Sequence, residues 1–298
     1  MDPTKIVDKD SSFFGQPGGL QTLFFTEMWE RMSYYGMRAL LVLFMTASLQ
    51  EGGIALTVAS ATAIYGLYTG AVYFMGLPGG WIADRLLGGQ RATWYGGIII
   101  MLGHIVLAIP SEAGFFVGMI LVVLGTGLLK PNITAMVGQL YSSNDDRRDG
   151  GYTLYYMGIN IGSIIGYIVT GYLMENAGYH WGFGAAAVGM AFGLIQYKLT
   201  KPKLGDVGAK PPKPLGPKAA KRSWGVIWLL LAGLAVYTYL ALNNYVTLDP
   251  TLIAGNVAVI FTVIFFVYYL SIFLFGKLTK DEMKRLGALF LVCIASTM

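Results

Sequence analysis

Residues 26–38 read TEMWERMSYYGMR and lie inside an otherwise apolar run from Leu20 to Leu49. Two carboxylates, Glu27 and Glu30, and two guanidinium groups, Arg31 and Arg38, therefore fall in a segment whose length and apolarity suit a bilayer interior. At about 100° per residue, Glu27, Glu30, Arg31, Tyr34, Tyr35 and Arg38 share an arc of about 140° on one helix face, while the other faces carry Met, Leu, Phe and Trp. A charge at the bilayer centre costs at least about 2.5–3.5 kcal/mol on insertion scales, so this stripe must face a water-filled cavity or charged partners. Glu27 stands i,i+4 to Arg31 and Glu30 stands beside it, so both carboxylates can neutralise one guanidinium. Protonating either Glu frees Arg31 for another anion, which couples a proton to a carboxylate-bearing ligand. The plainer alternative is a static ion pair that fixes helix packing, although such pairs stabilise poorly compared with apolar side chains.

The rest of the chain has the same character. It is 55% hydrophobic and 12% charged, with a mean hydropathy of +0.58, which excludes ordinary soluble domains and predicts an all-α integral membrane protein. Eight apolar runs are long enough to cross a bilayer: 20–49, 54–83, 92–110, 114–140, 151–174, 181–199, 224–243 and 253–276. A further run starts near Leu286 and reaches Met298 after about a dozen residues, too few to span, so we expect the chain to be a fragment of a longer protein.

Connections at 84–91, 141–150, 200–223 and 277–285 carry Lys and Arg, and they alternate with SLQEGGI, PSEAG, ENAGYH and NNYVTLDPT, which carry none. This alternation predicts a cytoplasmic N-terminus. On that topology 18 of the 21 basic residues lie on the cytoplasmic side and only Arg31, Arg38 and Lys130 remain within spans. The net charge of +5 is thus a topology signal and gives no reason to expect nucleic acid. The Pro- and Lys-rich stretch TKPKLGDVGAKPPKPLGPKAAKRS reads as a linker, extended and unpacked. The predicted organisation is a tail at 1–19, six helices over 20–199, a cytoplasmic linker at 200–223, two helices within 224–276, and the start of a second bundle at 277–298. Six spans followed by a basic linker is the layout of half a transporter built from two helical halves.

Three further stretches carry chemistry. The second span ends in GGWIADRLLGGQR, where Gly80 and Gly88 permit a tight turn and close helix approach, and Asp84, Arg85 and Arg91 are available for gating pairs. In the fourth, Lys130 precedes Pro131 and Asn132. An intramembrane ammonium needs an anion, and Lys130 with Arg31 would form a two-cation pocket suited to a carboxylate. The fifth contains YTLYYMGINIGS, in which Tyr156 and Asn160 share a face and can grip peptide-like groups, while Gly158 and Gly162 permit close helix contact. His104 and His180 have no metal-ligand company, Cys293 is the single cysteine, and no HExxH, P-loop, CxxC or GxSxG stretch occurs. We therefore expect neither metal nor cofactor, no direct ATP coupling and no enzyme.

The run Glu27-x-x-Glu30-Arg31-x-x-Tyr34-Tyr35-Gly36 resembles the ExxER…YYG signature of the proton-dependent oligopeptide transporters, the POT or peptide transporter family of the major facilitator superfamily, with Met32 where that family usually has Phe. The loop from Gly80 to Arg91 is similar to the loop motif of the superfamily, and YTLYYMGINIGS is similar to the family's FYxxINxG segment, with Tyr155 in place of Phe. The resemblance implies a major facilitator fold with two bundles around a central cavity, and symport of protons with di- and tripeptides across the inner, cytoplasmic membrane. It implies proton coupling by Glu27, Glu30, Arg31 and Lys130, and substrate contacts from Arg31, Tyr35, Arg38, Tyr73, Lys130, Tyr156 and Asn160. The partners expected are the peptide, the proton, the lipid bilayer and the absent C-terminal helical bundle, which would complete the site and receive the peptide's amino terminus. Nitrate or another small anion, and a receptor or scaffold without transport, are the alternatives.

Overall fold

Backbone polar groups find no water in a bilayer core, so a long apolar run closes its hydrogen bonds internally as a helix. In the computed structural model, which describes residues 11–246, 249–276 and 278–295, each such run is helical. The tail before residue 11, with Lys5 and Lys9, and the residues after 295 lie outside the described residues. The helices are α1 (Gly18–Thr46), α2 (Val58–Phe74), α3 (Gly76–Ile82), α4 (Gly89–Leu107), α5 (Glu112–Gln139), α6 (Arg148–Ala177), α7 (Tyr179–Thr200), α8 (Pro217–Leu242), α9 (Pro250–Phe275) and α10 (Lys280–Ala295). Thr57 caps α2 by accepting from Ser60 N at 3.2 Å, and Ser111 caps α5 by accepting from Gly114 N at 2.9 Å. Beyond the end of α5, Arg147 pairs with Asp145 at 2.7 Å, and its hydrogen bonds hold the Asp145 carboxyl below the usual carboxylate range.

Among the described residues, five helical stretches are long and apolar enough to cross a membrane: Val58–Leu87, Glu112–Gln139, Arg148–Ala177, Pro217–Leu242 and Pro250–Phe275. α1 is 29 residues long but falls short of that composition because of its charged stripe. α5 continues through Pro131 without a break. The chain divides into two compact units, Met1–Thr247 and Leu248–Met298.

In the first unit α1 packs on α6 and α7, α4 on α5 and α7, and α3 on α5. Two apolar clusters sit under this arrangement, one around Leu20, Leu129, Ile133 and Tyr197, the other around Met37, Phe44, Phe115 and Phe183. The helix pairs meet backbone to backbone. A Cβ on Gly158 would lie 3.2 Å from the Phe24 carbonyl, and one on Gly162 would overlap the Met28 carbonyl. The α4–α5 contact repeats the device, with Gly96 against Gly125 and Gly103 against Gly118. In the second unit α9 and α10 pack through Phe265, Tyr269 and Phe290, and Tyr269 Oη lies 3.5 Å from Cys293 Sγ.

The stretch 200–223, read as an unpacked linker, is folded over its first half, and from Pro217 onward it is already the start of α8. Leu204 is buried, the Gln90 side chain donates to Gly205 O at 3.0 Å and Val207 O at 2.8 Å, and Gln90 N donates to Gly208 O at 2.9 Å. Lys213 N and Leu215 N donate to Asp84 O and Arg85 O, both at 3.1 Å. The physical reason is that the loop after α3 presents open backbone groups, and residues 205–215 satisfy them as a strap. Gly88 makes room for it: its φ of 81° and ψ of 155° lie in a region essentially closed to other residues, and a Cβ there would come 2.9 Å from Gly208 O. Gly88→Ala is expected to cost about 1–3 kcal/mol and to speed tryptic cleavage at the Lys203–Leu204 bond, where the strap begins. Unchanged cleavage would show that the strap does not depend on this glycine.

Candidate functional site

α1 carries its charged stripe into the interior of the first unit, where Glu27 and Glu30 are 0% exposed and Arg31 is 1% exposed. The guanidinium divides itself unequally. It chelates Glu30, with Nε donating to one carboxylate oxygen and Nη2 to the other at 2.6 Å, while Glu27 Oε1 stands 3.2 Å from the same Nε. Neither Glu27 oxygen accepts a hydrogen bond of good geometry. The Tyr34 and Tyr35 rings lie 4.8 and 5.8 Å from the guanidinium carbon, an arrangement that favours the cation. One guanidinium thus serves two buried carboxylates, and the cluster holds one more negative than positive charge when all three are ionised.

α5 supplies the balancing cation. Lys130 is half-buried and lies close enough to Glu27, Glu30, Arg31 and Arg38 to interact electrostatically with each. Among the described residues its ammonium has no ion-pair partner, and it sits 5.5 Å from the centre of the Tyr73 ring. Tyr73 is 67% exposed, so ring and ammonium face open space together. Arg38, whose partner the sequence could not name, donates from Nε to the Tyr65 hydroxyl and has its guanidinium carbon 5.3 Å from that ring.

Tyr156 and Asn160 stand one turn apart on an exposed face of α6, with Asn160 Nδ2 donating to Tyr156 O at 2.9 Å. That bond leaves the amide oxygen and the phenol open to a ligand. No direct hydrogen bond joins either residue to the charged cluster.

The stretch from Gly80 to Arg91, which begins within α3, departs from expectation at one glycine. Open space surrounds a Cβ built on Gly80, and it is Gly79 that presses on the backbone at Gly127 and Leu128. The helix phase turns Gly79 toward α5, and Gly80 away from it. Asp84 and Arg91 are exposed, and Arg85 Nη1 reaches Lys213 O at 3.5 Å, so these charges take no ion pair within the described residues.

Sequence reasoning missed Tyr65, Tyr68 and the pair Tyr155–Thr134. Tyr68 is buried with no hydrogen-bond partner for its hydroxyl, and it lies close enough to Tyr34, Glu30 and Arg31 to interact with them. The i,i+3 spacing of Tyr65 and Tyr68 was the available signal, since two tyrosines on one face of an apolar helix mark a polar seam. The arrangement can hold a proton on a carboxylate, release Arg31 from it, and present two cations and several hydroxyls to an anionic, hydrogen-bonding solute.

The chain matches the model of the POT family, PTR2, over residues 90–298. It is 43% identical over 291 residues to the uncharacterized transporter YclF of Bacillus subtilis (strain 168), covering 96% of this chain and 58% of that protein. It is 40% identical over 292 residues to the di-/tripeptide transporter of Lactococcus lactis subsp. lactis (strain IL1403), covering 94% of this chain and 57% of the relative. Among solved structures, the peptide transporter POT in complex with sulfate superimposes with a TM-score of 0.84 at 42% identity, over 97% of this chain and 59% of the other. The chain therefore spans less than two thirds of the length of these relatives.

Proposed function

The chain belongs to the POT family, an all-α, multi-pass membrane family of transporters, and on that premise we propose that it forms the N-terminal part of a proton-coupled symporter of di- and tripeptides. The carrying observation is Arg31 shared between two buried carboxylates beside an ammonium that has no ion-pair partner among the described residues. In this reading Arg31 and Lys130 attract the peptide's carboxylate. Tyr35, Tyr73, Tyr156 and Asn160 orient it through hydrogen bonds, and Arg38, tied to Tyr65, keeps the cavity positive. A proton on Glu27 or Glu30 releases Arg31 to the substrate, and its departure returns Arg31 to the carboxylates. Gly80, Asp84, Arg85, Gly88 and Arg91 act in cytoplasmic gating.

The proposed organisation is an N-terminal six-helix bundle over 20–199, a cytoplasmic connection at 200–223, two inserted helices within 224–276, and the first residues of a second bundle from 277. That bundle would complete the site and supply the group for the peptide's amino terminus. The distribution of basic residues supports an inner-membrane orientation with the N-terminus in the cytoplasm.

The test is uptake of labelled dialanine by liposomes containing the full-length protein, with and without an inward proton gradient and with excess nitrate outside. Accumulation that requires the gradient and ignores nitrate is the expected result. Binding without accumulation would replace this reading by the receptor one, and competition by nitrate would favour a carrier of small anions. The two carboxylates and the Tyr156–Asn160 pair favour peptide over a bare anion, which needs neither.

A further inference from the structure

Glu27 is the less well served of the two buried carboxylates. The groups facing it are Glu30 and Arg31 on α1, Lys130 on α5 and the Tyr155 hydroxyl on α6. Tyr155 is 1% exposed, interacts with Glu27 and Arg31, and has its hydroxyl 3.1 Å from Thr134 Oγ1. Thr134 Oγ1 in turn lies 3.1 Å from the Lys130 carbonyl, to which it can donate. Glu27 and the Tyr155 hydroxyl lie close enough to interact, and from that phenol the Thr134 hydroxyl reaches the backbone of Lys130, immediately before Pro131.

Each hydroxyl has one proton to donate, and that count makes the path directional. When Thr134 donates to the Lys130 carbonyl, Tyr155 donates to Thr134, and Tyr155 can then only accept from Glu27, which requires a protonated carboxyl. When Glu27 is ionised, its charge draws the Tyr155 proton toward itself, because hydrogen bonds to ionised groups are the stronger ones. Thr134 must then turn to Tyr155 and leave the Lys130 carbonyl to its backbone bond alone. The hydroxyls reorient and no proton enters or leaves the pair.

We propose that Tyr155 and Thr134 are positioning residues that transmit the protonation state of Glu27 to the Lys130–Pro131 turn. This rests on the proton-coupling role given to Glu27 above. Neither residue touches substrate; they act through Glu27 and through the backbone that carries Lys130.

The experiment measures the pH dependence of gradient-driven dialanine uptake, beside dialanine exchange without a gradient, for the full-length protein and its Y155F, T134V, Y155F/T134V and E27Q variants. Y155F removes a donor from the carboxylate, so its profile should move to higher pH by about half to one unit. T134V leaves Tyr155 with Glu27 as its only partner and should move the profile the other way. The double variant should match Y155F, because Thr134 reaches Glu27 only through the phenol. Exchange should persist in all three, which shows that they fold and bind. Profiles of Y155F and T134V that overlay the wild type, with E27Q flattening its own, would overturn the relay and leave the transport reading intact. Loss of exchange in Y155F would also overturn it, because the hydroxyl would then belong to binding. Wild-type pH dependence in E27Q, or no gradient-driven uptake at all, would overturn the reading on which the relay rests.

Discussion

Arg31→Gln should lower the stability of the folded protein by about 3–5 kcal/mol and abolish gradient-driven uptake. The magnitude follows from what is left behind. Glu27 and Glu30 are both fully buried, and removing one member of a buried ion cluster leaves uncompensated charge, which is far more costly than never having had the pair. The same logic predicts a rescue. Adding Glu27→Gln and Glu30→Gln to the Arg31→Gln background removes the stranded charges and should restore most of the thermal stability in detergent, while accumulation of dialanine stays at background. That split separates the structural share of the cluster from the functional one. A single Arg31→Gln variant that unfolds at the wild-type temperature would mean that the carboxylates are already neutral in the resting protein.

Lys130→Ala should behave in the opposite way. The ammonium is half-buried and, among the described residues, lacks an ion-pair partner, so its loss breaks no direct pair and removes only the longer-range balance to the carboxylates, which should cost about 1 kcal/mol, far less than Arg31→Gln. Its proposed partner is the substrate carboxylate. A charge-assisted hydrogen bond contributes about 1.5–3 kcal/mol, so equilibrium binding of labelled dialanine should weaken by roughly 10- to 100-fold. Uptake and exchange at subsaturating peptide should fall together. Unaltered binding with lost accumulation would place Lys130 in coupling alone.

Much of this was legible in the amino-acid order. The charged stripe of α1 follows from helical periodicity, and Lys130 draws notice because an ammonium in a bilayer demands a partner. The close α1–α6 contact was signalled by Gly158 and Gly162. What could not be read were matters of phase and of backbone. Spacing let both carboxylates reach Arg31 and would have allowed them to share it equally. The long guanidinium stem instead folds back to chelate Glu30. Gly79 and Gly80 differ by one residue, about 100° of helix rotation, and only packing decides which meets α5. Residues 205–215 have the composition of a linker, yet most of their bonds run to or from backbone groups, which carry no residue-specific signal. Tyr155 looked like a minor variant of an aromatic position, and its hydroxyl acquires meaning only beside Glu27 and Thr134.

The glycine contacts have a mechanical consequence. Where carbonyls of one helix rest against the Cα atoms of another there is no side-chain layer to shear, so α1 with α6, and α4 with α5, each behave as a stiff double beam. Sliding within a beam would drive backbone into backbone. Rearrangement of this unit is therefore carried between the beams, where α7 bridges α1 and α4 through side chains that can change rotamer, while α3, whose Gly79 rests on the backbone at Gly127, moves with α5. Glu27 and Arg31 lie on one beam with Tyr155, and Lys130 with Thr134 on the other, so the polar groups span the joint that has freedom to move.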